Sequence, residues 1–191
     1  VDKLIAANVG CVVIATGDPD PRVLGRGIAK LRAAGIVVIT GVRENEARAD
    51  MAGFLLRITE NRPFVTLKLA SSFDGRIATA NGESKWITGP DARRKVHSLR
   101  AKHDAVLVGA GTVRADDPTL TVRDMGAVRQ PVRIVASGRL NIDAANLLAT
   151  IGVAPLWLCH GASVDPQRWI DQGAKTLTCD LRGRQIDPVD M

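Results

Sequence analysis

The sequence has no tyrosine, and aromatic residues of all kinds make up only 3% of its 191 positions. Its core must therefore be built from Val, Ile, Leu and Ala, the residues of interior parallel strands and of the helices that cover them. Cysteine is equally sparse. Cys11, Cys159 and Cys179 lie far apart and form no C-x-x-C pair, which argues against a disulfide framework and against a zinc site made within the chain. They read as buried thiols of a cytoplasmic protein. No apolar run approaches the ~20 residues a membrane helix needs, and no charged segment precedes an apolar stretch at the N-terminus. No membrane association is expected. Arginines interleaved with base-stacking aromatics are also missing, so no nucleic-acid partner is expected. There is no internal repeat and no low-complexity tract.

What is present is apolar mass and a local positive charge. Apolar residues account for 46% of the chain, sufficient for one full domain, or for one domain and part of another. The net charge is +6, and the segment from Ser84 to Arg133 alone holds ten Lys or Arg against five Asp. A basic field this local suits a phosphate-bearing small molecule, although Arg93, Arg94 and Lys95 read as a solvated helix face.

Along the chain, strand and helix patterns alternate. Gly10 to Thr16 reads as a buried strand, Asp18-Pro19-Asp20-Pro21 as a turn, Val23 to Ala34 as a helix capped by Gly35, and Ile36 to Thr40 as a strand. Helical spacing returns from Glu44 to Ile58 and breaks at Thr59 to Pro63, which places a domain boundary between residues 61 and 62. Phe64 to Ser71 alternates as a strand. Pro90 opens a helix that continues through Arg93 to Lys102, and Ala105 to Gly109 is a short strand running into a glycine loop. Val132 to Ala136, Pro155 to Cys159 and Ala174 to Cys179 are later strands, with a weak helix near Pro166 to Gln172. The fold class is α/β, with a mostly parallel sheet covered on both faces.

Chemistry concentrates between Lys68 and Arg123. The junction Val106-Leu107-Val108-Gly109-Ala110-Gly111-Thr112 joins a strand to a Gly-x-Gly turn, where backbone can approach a phosphate and amides can point at an anion. It lacks the third glycine of the dinucleotide fingerprint, and a strand followed by glycines is more often a tight turn. Around it lie Ser71-Ser72-Phe73-Asp74-Gly75-Arg76, Gly82-Glu83-Ser84-Lys85-Trp86-Ile87-Thr88, His97-Ser98-Leu99-Arg100 and Asp116-Asp117-Pro118-Thr119-Leu120-Thr121-Val122-Arg123. In order and spacing these resemble the reductase half of the bifunctional riboflavin-biosynthesis deaminase/reductase family.

That resemblance implies a dihydrofolate-reductase-like domain over residues 62–191, which uses NADPH to reduce the ribose of 5-amino-6-(5-phosphoribosylamino)uracil to a ribityl chain. It implies that Ala70, Trp86, Thr112 and Asp116 lie against NADPH, and that Ser84, Arg100, Leu120 and Arg123 contact the phosphorylated pyrimidine ribosyl substrate. Lys68 falls close to the ribose, as a charge stabiliser for the opened sugar. Gly138 stands where the family often has a serine near the cofactor. Each residue also has an ordinary structural reading: Trp86 as a core aromatic, Arg100 as a helix-end charge, Asp116 as the cap of the turn before Pro118, His97 as a structural histidine.

Residues 1–61, with Asp18-Pro19-Asp20-Pro21-Arg22 and Gly25-Arg26-Gly27-Ile28, resemble the tail of the family's cytidine-deaminase-like half. The H-x-E and P-C-x-x-C residues that hold its zinc are not in the sequence, so zinc is expected only in a deaminase part outside this chain. The family's acidic glycine-rich motif is likewise not matched after Ile186-Asp187-Pro188. The chain therefore reads as an internal piece of the bifunctional enzyme. A homo-oligomer is compatible with the sequence, and the competing function is a non-catalytic nucleotide-binding or scaffold module.

Overall fold

Short β-branched runs punctuated by glycine set the elements of the chain. The computed structural model describes residues 1–191, which form two compact units, Val1–Leu67 and Lys68–Met191.

In the first unit a short helix α1 (Asp2–Ala6) precedes strand β1 (Cys11–Ile14), helix α2 (Arg26–Ala33) and strand β2 (Val37–Thr40). The two strands pair in parallel, Cys11 opposite Val37 and Ile14 opposite Thr40, a βαβ arrangement that requires the intervening helix. Gly35 ends α2 at φ +78, and the amides of Gly35 and Ile36 turn back onto the carbonyls of Arg32 and Leu31. Only a residue without Cβ takes that conformation at no cost. One helix was expected from Glu44 to Ile58. The structure has two, α3 (Glu44–Asp50) and α4 (Ala52–Glu60), meeting at Met51, whose φ −98 and ψ 11 leave the helical well. The Met51→Ala47 and Leu55→Met51 bonds cross the joint, so it is a bend rather than a loop. Asp20 is buried in the turn after β1 and accepts from the Arg22 guanidinium at 2.6 and 3.0 Å.

The second unit opens with residues that form no regular element. Phe64 to Ser71, expected as a strand across this boundary, belongs to no strand of the structure. Its alternation is real, but a strand is stable only when a neighbour takes its backbone groups, and no strand of this structure pairs with it. Leu67 and Leu69 are exposed in consequence. Regular structure begins with α5 (Pro90–Lys102), which has its proline at the first turn. It continues through β3 (Ala105–Gly109), α6 (Ala110–Asp116), β4 (Val132–Ala136), α7 (Ala145–Ala149), β5 (Leu156–His160), α8 (Gln167–Ile170), β6 (Lys175–Thr178) and a hairpin of β7 (Leu181–Arg182) with β8 (Gln185–Ile186).

Strands β3, β4, β5 and β6 form one sheet in that order, all parallel. Right-handed crossovers that step in one direction keep their helices on one face. On that face Val135, Leu156 and Leu158 are fully buried with Leu147 of α7 and Trp169 of α8, each aliphatic contributing roughly 1.5–3 kcal/mol by burial. The sheet was expected to be covered on both faces. On the opposite face, which receives no crossover helix, Leu107 of the edge strand β3 remains 48% exposed, while Cys159 of β5 is buried. No helix of the chain is long and apolar enough to cross a membrane.

Candidate functional site

The carboxyl ends of the parallel strands are where a sheet of this kind offers open backbone to a ligand. Gly109, Gly138 and Gly161 stand there, at or just past the ends of β3, β4 and β5. At Gly109 and at Gly111 in the first turn of α6, an added Cβ would meet nothing within 4 Å, so the backbone is open on that side. Thr112 and Asp116 lie four residues apart on α6, both exposed, hence on one face of the helix.

Gly138 is different. A Cβ there would lie 2.8 Å from the carbonyl oxygen of Arg184 and 3.4 Å from Leu181, so the β7–β8 hairpin already covers the position expected to face a cofactor.

The loop from Asp117 to Asp124 is the best-organised irregular segment of the unit. Asp117, Leu120 and Asp124 all have positive φ, at 36, 58 and 58, unfavourable for residues with a Cβ. Side chains from elsewhere hold it. Asn146 at the start of α7 donates its amides to the Asp117 carboxylate and carbonyl, and Gln130 brackets Val122, accepting from its N–H at 2.8 Å and donating to its carbonyl at 3.1 Å. Arg100 of α5 donates to the Thr121 carbonyl at 3.1 Å. The Arg123 N–H donates to His97 Nδ1 at 3.2 Å, which leaves the ring proton on Nε2.

This loop and α5 together place His97, Arg100 and Arg123 in one cluster. Neither arginine has a carboxylate in ion-pair contact. Burial and the Arg123 charge push the Arg100 pKa down. Burial first, then the charges of Arg100 and Arg123, lowers that of His97, with Asp124 opposing. Two like charges brought together without a counter-ion are unfavourable by themselves and become favourable when an anion bridges them, since guanidinium forks match phosphate oxygens.

The remaining expected residues are less gathered. Leu120 is 3% exposed and packs in the core, so its side chain faces away from solvent and only its left-handed backbone is presented. Trp86 is 73% exposed, which removes the core-aromatic reading, and carries the Arg93 guanidinium 4.4 Å from its ring centroid. Lys68 and Ser84 lie exposed in the irregular segment before α5, and Ala70 is half-buried there. A depression of about 600 Å³ is lined by Ser72, Asp74, Arg76, Thr79, Glu83 and Ile87 among others. It includes none of the expected residues, and its two carboxylates suit a phosphate poorly. Sequence reasoning missed Arg133, a charge at an inward position of β4 and wholly buried; alternation with Val135 was the available signal.

A family model described as the RibD C-terminal domain matches residues 63–190. Riboflavin biosynthesis protein RibD of Aquifex aeolicus is 45% identical over 154 residues, covering 81% of this chain and 43% of its own length. RibD of Escherichia coli is 47% identical over 162 residues, covering 78% and 42%. Among solved structures, the Thermotoga maritima diaminohydroxyphosphoribosylaminopyrimidine deaminase/5-amino-6-(5-phosphoribosylamino)uracil reductase superposes with a TM-score of 0.80 at 38% identity, over 94% of this chain and 50% of that one. Acinetobacter baumannii RibD gives 0.77 at 38% identity, over 94% and 51%. The chain thus spans about half the length of the relatives it matches.

Proposed function

Since this chain belongs to the RibD C-terminal domain family, we propose that its second unit is the reductase of riboflavin biosynthesis, acting on the ribosyl group of 5-amino-6-(5-phosphoribosylamino)uracil with NADPH. The observation that carries this reading is the Arg100–Arg123 pair, two neighbouring guanidinium groups of which neither has a carboxylate in ion-pair contact. A substrate phosphate supplies the missing charge. Ser84 adds a neutral hydroxyl, and the turned backbone at Leu120 orients the neighbouring sugar. Lys68 stabilises negative charge on the sugar oxygen as the ring opens.

The residues fit a dinucleotide along α6: open backbone at Gly109 and Gly111, with Thr112 and Asp116 on one exposed face. Trp86 offers an exposed apolar ring and Ala70 a small neighbour. Gly138 does not fit as it stands, because the hairpin carbonyl of Arg184 occupies its approach. When bound, NADPH supplies the hydride that reduces C1′ of the opened sugar. The chain's part is to hold the phosphate, position the sugar and exclude water with Trp86. The first unit is read as the adjoining part of a deaminase-like domain, and the protein as cytoplasmic.

The test is loss of NADPH absorbance with the phosphoribosylaminouracil as substrate, for the wild type and Arg123→Ala. The reading requires Arg123→Ala to raise the substrate KM at least tenfold while the KM for NADPH changes little. Equal effects on both, or binding without turnover, would favour the non-catalytic module.

A further inference from the structure

Strand β4 reads Val-Arg-Ile-Val-Ala, and its pleat sends Arg133 to the same side as Val135, into the core. Both are 0% exposed. A guanidinium cannot shed its charge in a protein, so this one must be neutralised where it lies. No carboxylate meets it. It donates instead to four carbonyl oxygens and a hydroxyl: Nη1 to Thr119 O and Leu147 O, both at 3.1 Å, and to Thr150 Oγ1 at 2.6 Å; Nη2 to Thr150 O at 3.1 Å and to Ala154 O. Its Nε finds no partner. A buried donor left unmade is costly, and hydrophobic replacement of buried charge is frequently neutral or stabilising. Core stability alone is thus a poor reason for an arginine here.

The partners show what the charge achieves. Leu147 lies in α7, Thr150 ends it and Ala154 closes the turn that follows, in which the amides of Val153 and Ala154 also donate to the Thr150 carbonyl; a cation at this C-terminal end of a helix is favoured. Thr119 is on the strained loop, between Asp117 and Leu120, both at positive φ. Arg133 grips the Thr119 carbonyl from the core side, while Arg123 donates to the Thr119 hydroxyl at 3.4 Å from the exposed side. Asn146, at the opposite end of α7, holds Asp117 two residues earlier in the loop. One buried side chain on β4 therefore ties the C-terminal end of α7 to the residue next to Leu120 and against Arg123.

We propose that Arg133 is a positioning residue that holds the Asp117–Asp124 loop in its left-handed conformation, and so sets Arg123 beside Arg100 for phosphate binding. This rests on the functional reading only for the identity of the ligand; the link from Arg133 to the loop stands on the geometry.

Hydrogen–deuterium exchange on the full chain decides it, comparing wild type, Arg133→Met and Arg133→Lys with Leu158→Ala as a destabilised core control. Arg133→Met should speed exchange over residues 117–124 at least tenfold beyond the change in β5 and β6, with Arg133→Lys restoring only part of the protection, because an ammonium lacks the fork. Leu158→Ala should not single out that loop. In the same samples ribose 5-phosphate is the probe of function, and its Kd should weaken at least tenfold in Arg133→Met and remain within twofold in Leu158→Ala. Should Arg133→Met fail to fold, Arg133→Lys alone must show the selective loosening. Exchange at 117–124 that is unchanged, or raised no more than in β5 and β6, overturns the proposal. If wild type shows no affinity for ribose 5-phosphate, the functional reading fails while the exchange comparison still decides the role of Arg133.

Discussion

Replacing Gly138 by alanine probes how the β7–β8 hairpin is seated. The new Cβ would lie 2.8 Å from the Arg184 carbonyl oxygen and 3.4 Å from Leu181 Cδ2, and the first is backbone, which cannot rotate away. Overpacking of this kind costs about 1–3 kcal/mol. The lost flexibility of the unfolded chain returns about 0.4–1 kcal/mol, so the net loss should be about 1–2 kcal/mol. Gly161→Ala is the internal comparison: its Cβ would lie 2.8 Å from the terminal Cδ1 of Leu181, which can swing aside, and 3.2 Å from the backbone oxygen of Gly138, a tight contact that needs a smaller shift than the 2.8 Å one at Gly138. Urea unfolding of the three proteins should place Gly138→Ala below Gly161→Ala, with an unchanged slope. The displaced hairpin should become the first site of protease cleavage, near Gly183. A Gly138→Ala protein as stable as wild type, with the hairpin still protected, would refute the packing described for this end of the sheet.

Other outcomes follow from the same geometry. Gly111→Ala lies in α6 with no atom near the added Cβ, so stability should rise by roughly 0.5–1 kcal/mol, while NADPH binding measured by fluorescence should weaken because the backbone loses its close approach. His97 has a lowered pKa from burial and from Arg100 and Arg123, so the unfolded chain binds its proton more readily. Stability from this group is therefore complete above about pH 6.5, falls as pH drops below that value, and the fall should be shallower in His97→Gln. Asp20 is held down to about 2 by hydrogen bonds from the Arg22 side chain and amide. Its contribution is present above about pH 4 and disappears toward pH 2, and Arg22→Ala should flatten that acid limb in thermal melts.

The regular elements of the second unit were legible because their signals are local. Ala105–Gly109 and Val132–Ala136 are apolar runs between turn residues, and Pro90 announces the first turn of α5. Phe64 to Ser71 carried an equally clear alternation and is no strand, because pairing depends on a neighbour that the segment itself cannot specify. Helix α7 was invisible for a related reason: five residues cannot sustain a helix alone, and this one is held by Asp117 at its start and Arg133 at its end. The hairpin at Leu181 to Ile186 was signalled only by Gly183, at φ +66.

At the site, the arginines could be named from their motifs, but their lack of counter-ions could not. The loop that carries Arg123 owes its shape to side chains 8 to 29 residues distant in sequence, from Gln130 to Asn146. Asp117 and Asp124 are of a type that tolerates the left-handed region, but nothing in Asp117 to Asp124 itself predicts that conformation at Leu120. Arg133 was readable in principle from its alternation with Val135, but the pattern shows only that a charge faces inward, not which carbonyls receive it.

Calorimetric titration of the purified chain with ribose 5-phosphate, with unphosphorylated ribose as the control, bears most directly on the Arg100–Arg123 pair. Saturable binding that ribose does not show, weakened at least tenfold in Arg123→Ala as expected for loss of a charge-assisted contact, is the predicted result. Equal binding of ribose, or an affinity for the phosphate that Arg123→Ala leaves intact, would contradict the assignment of this pair as the substrate phosphate site.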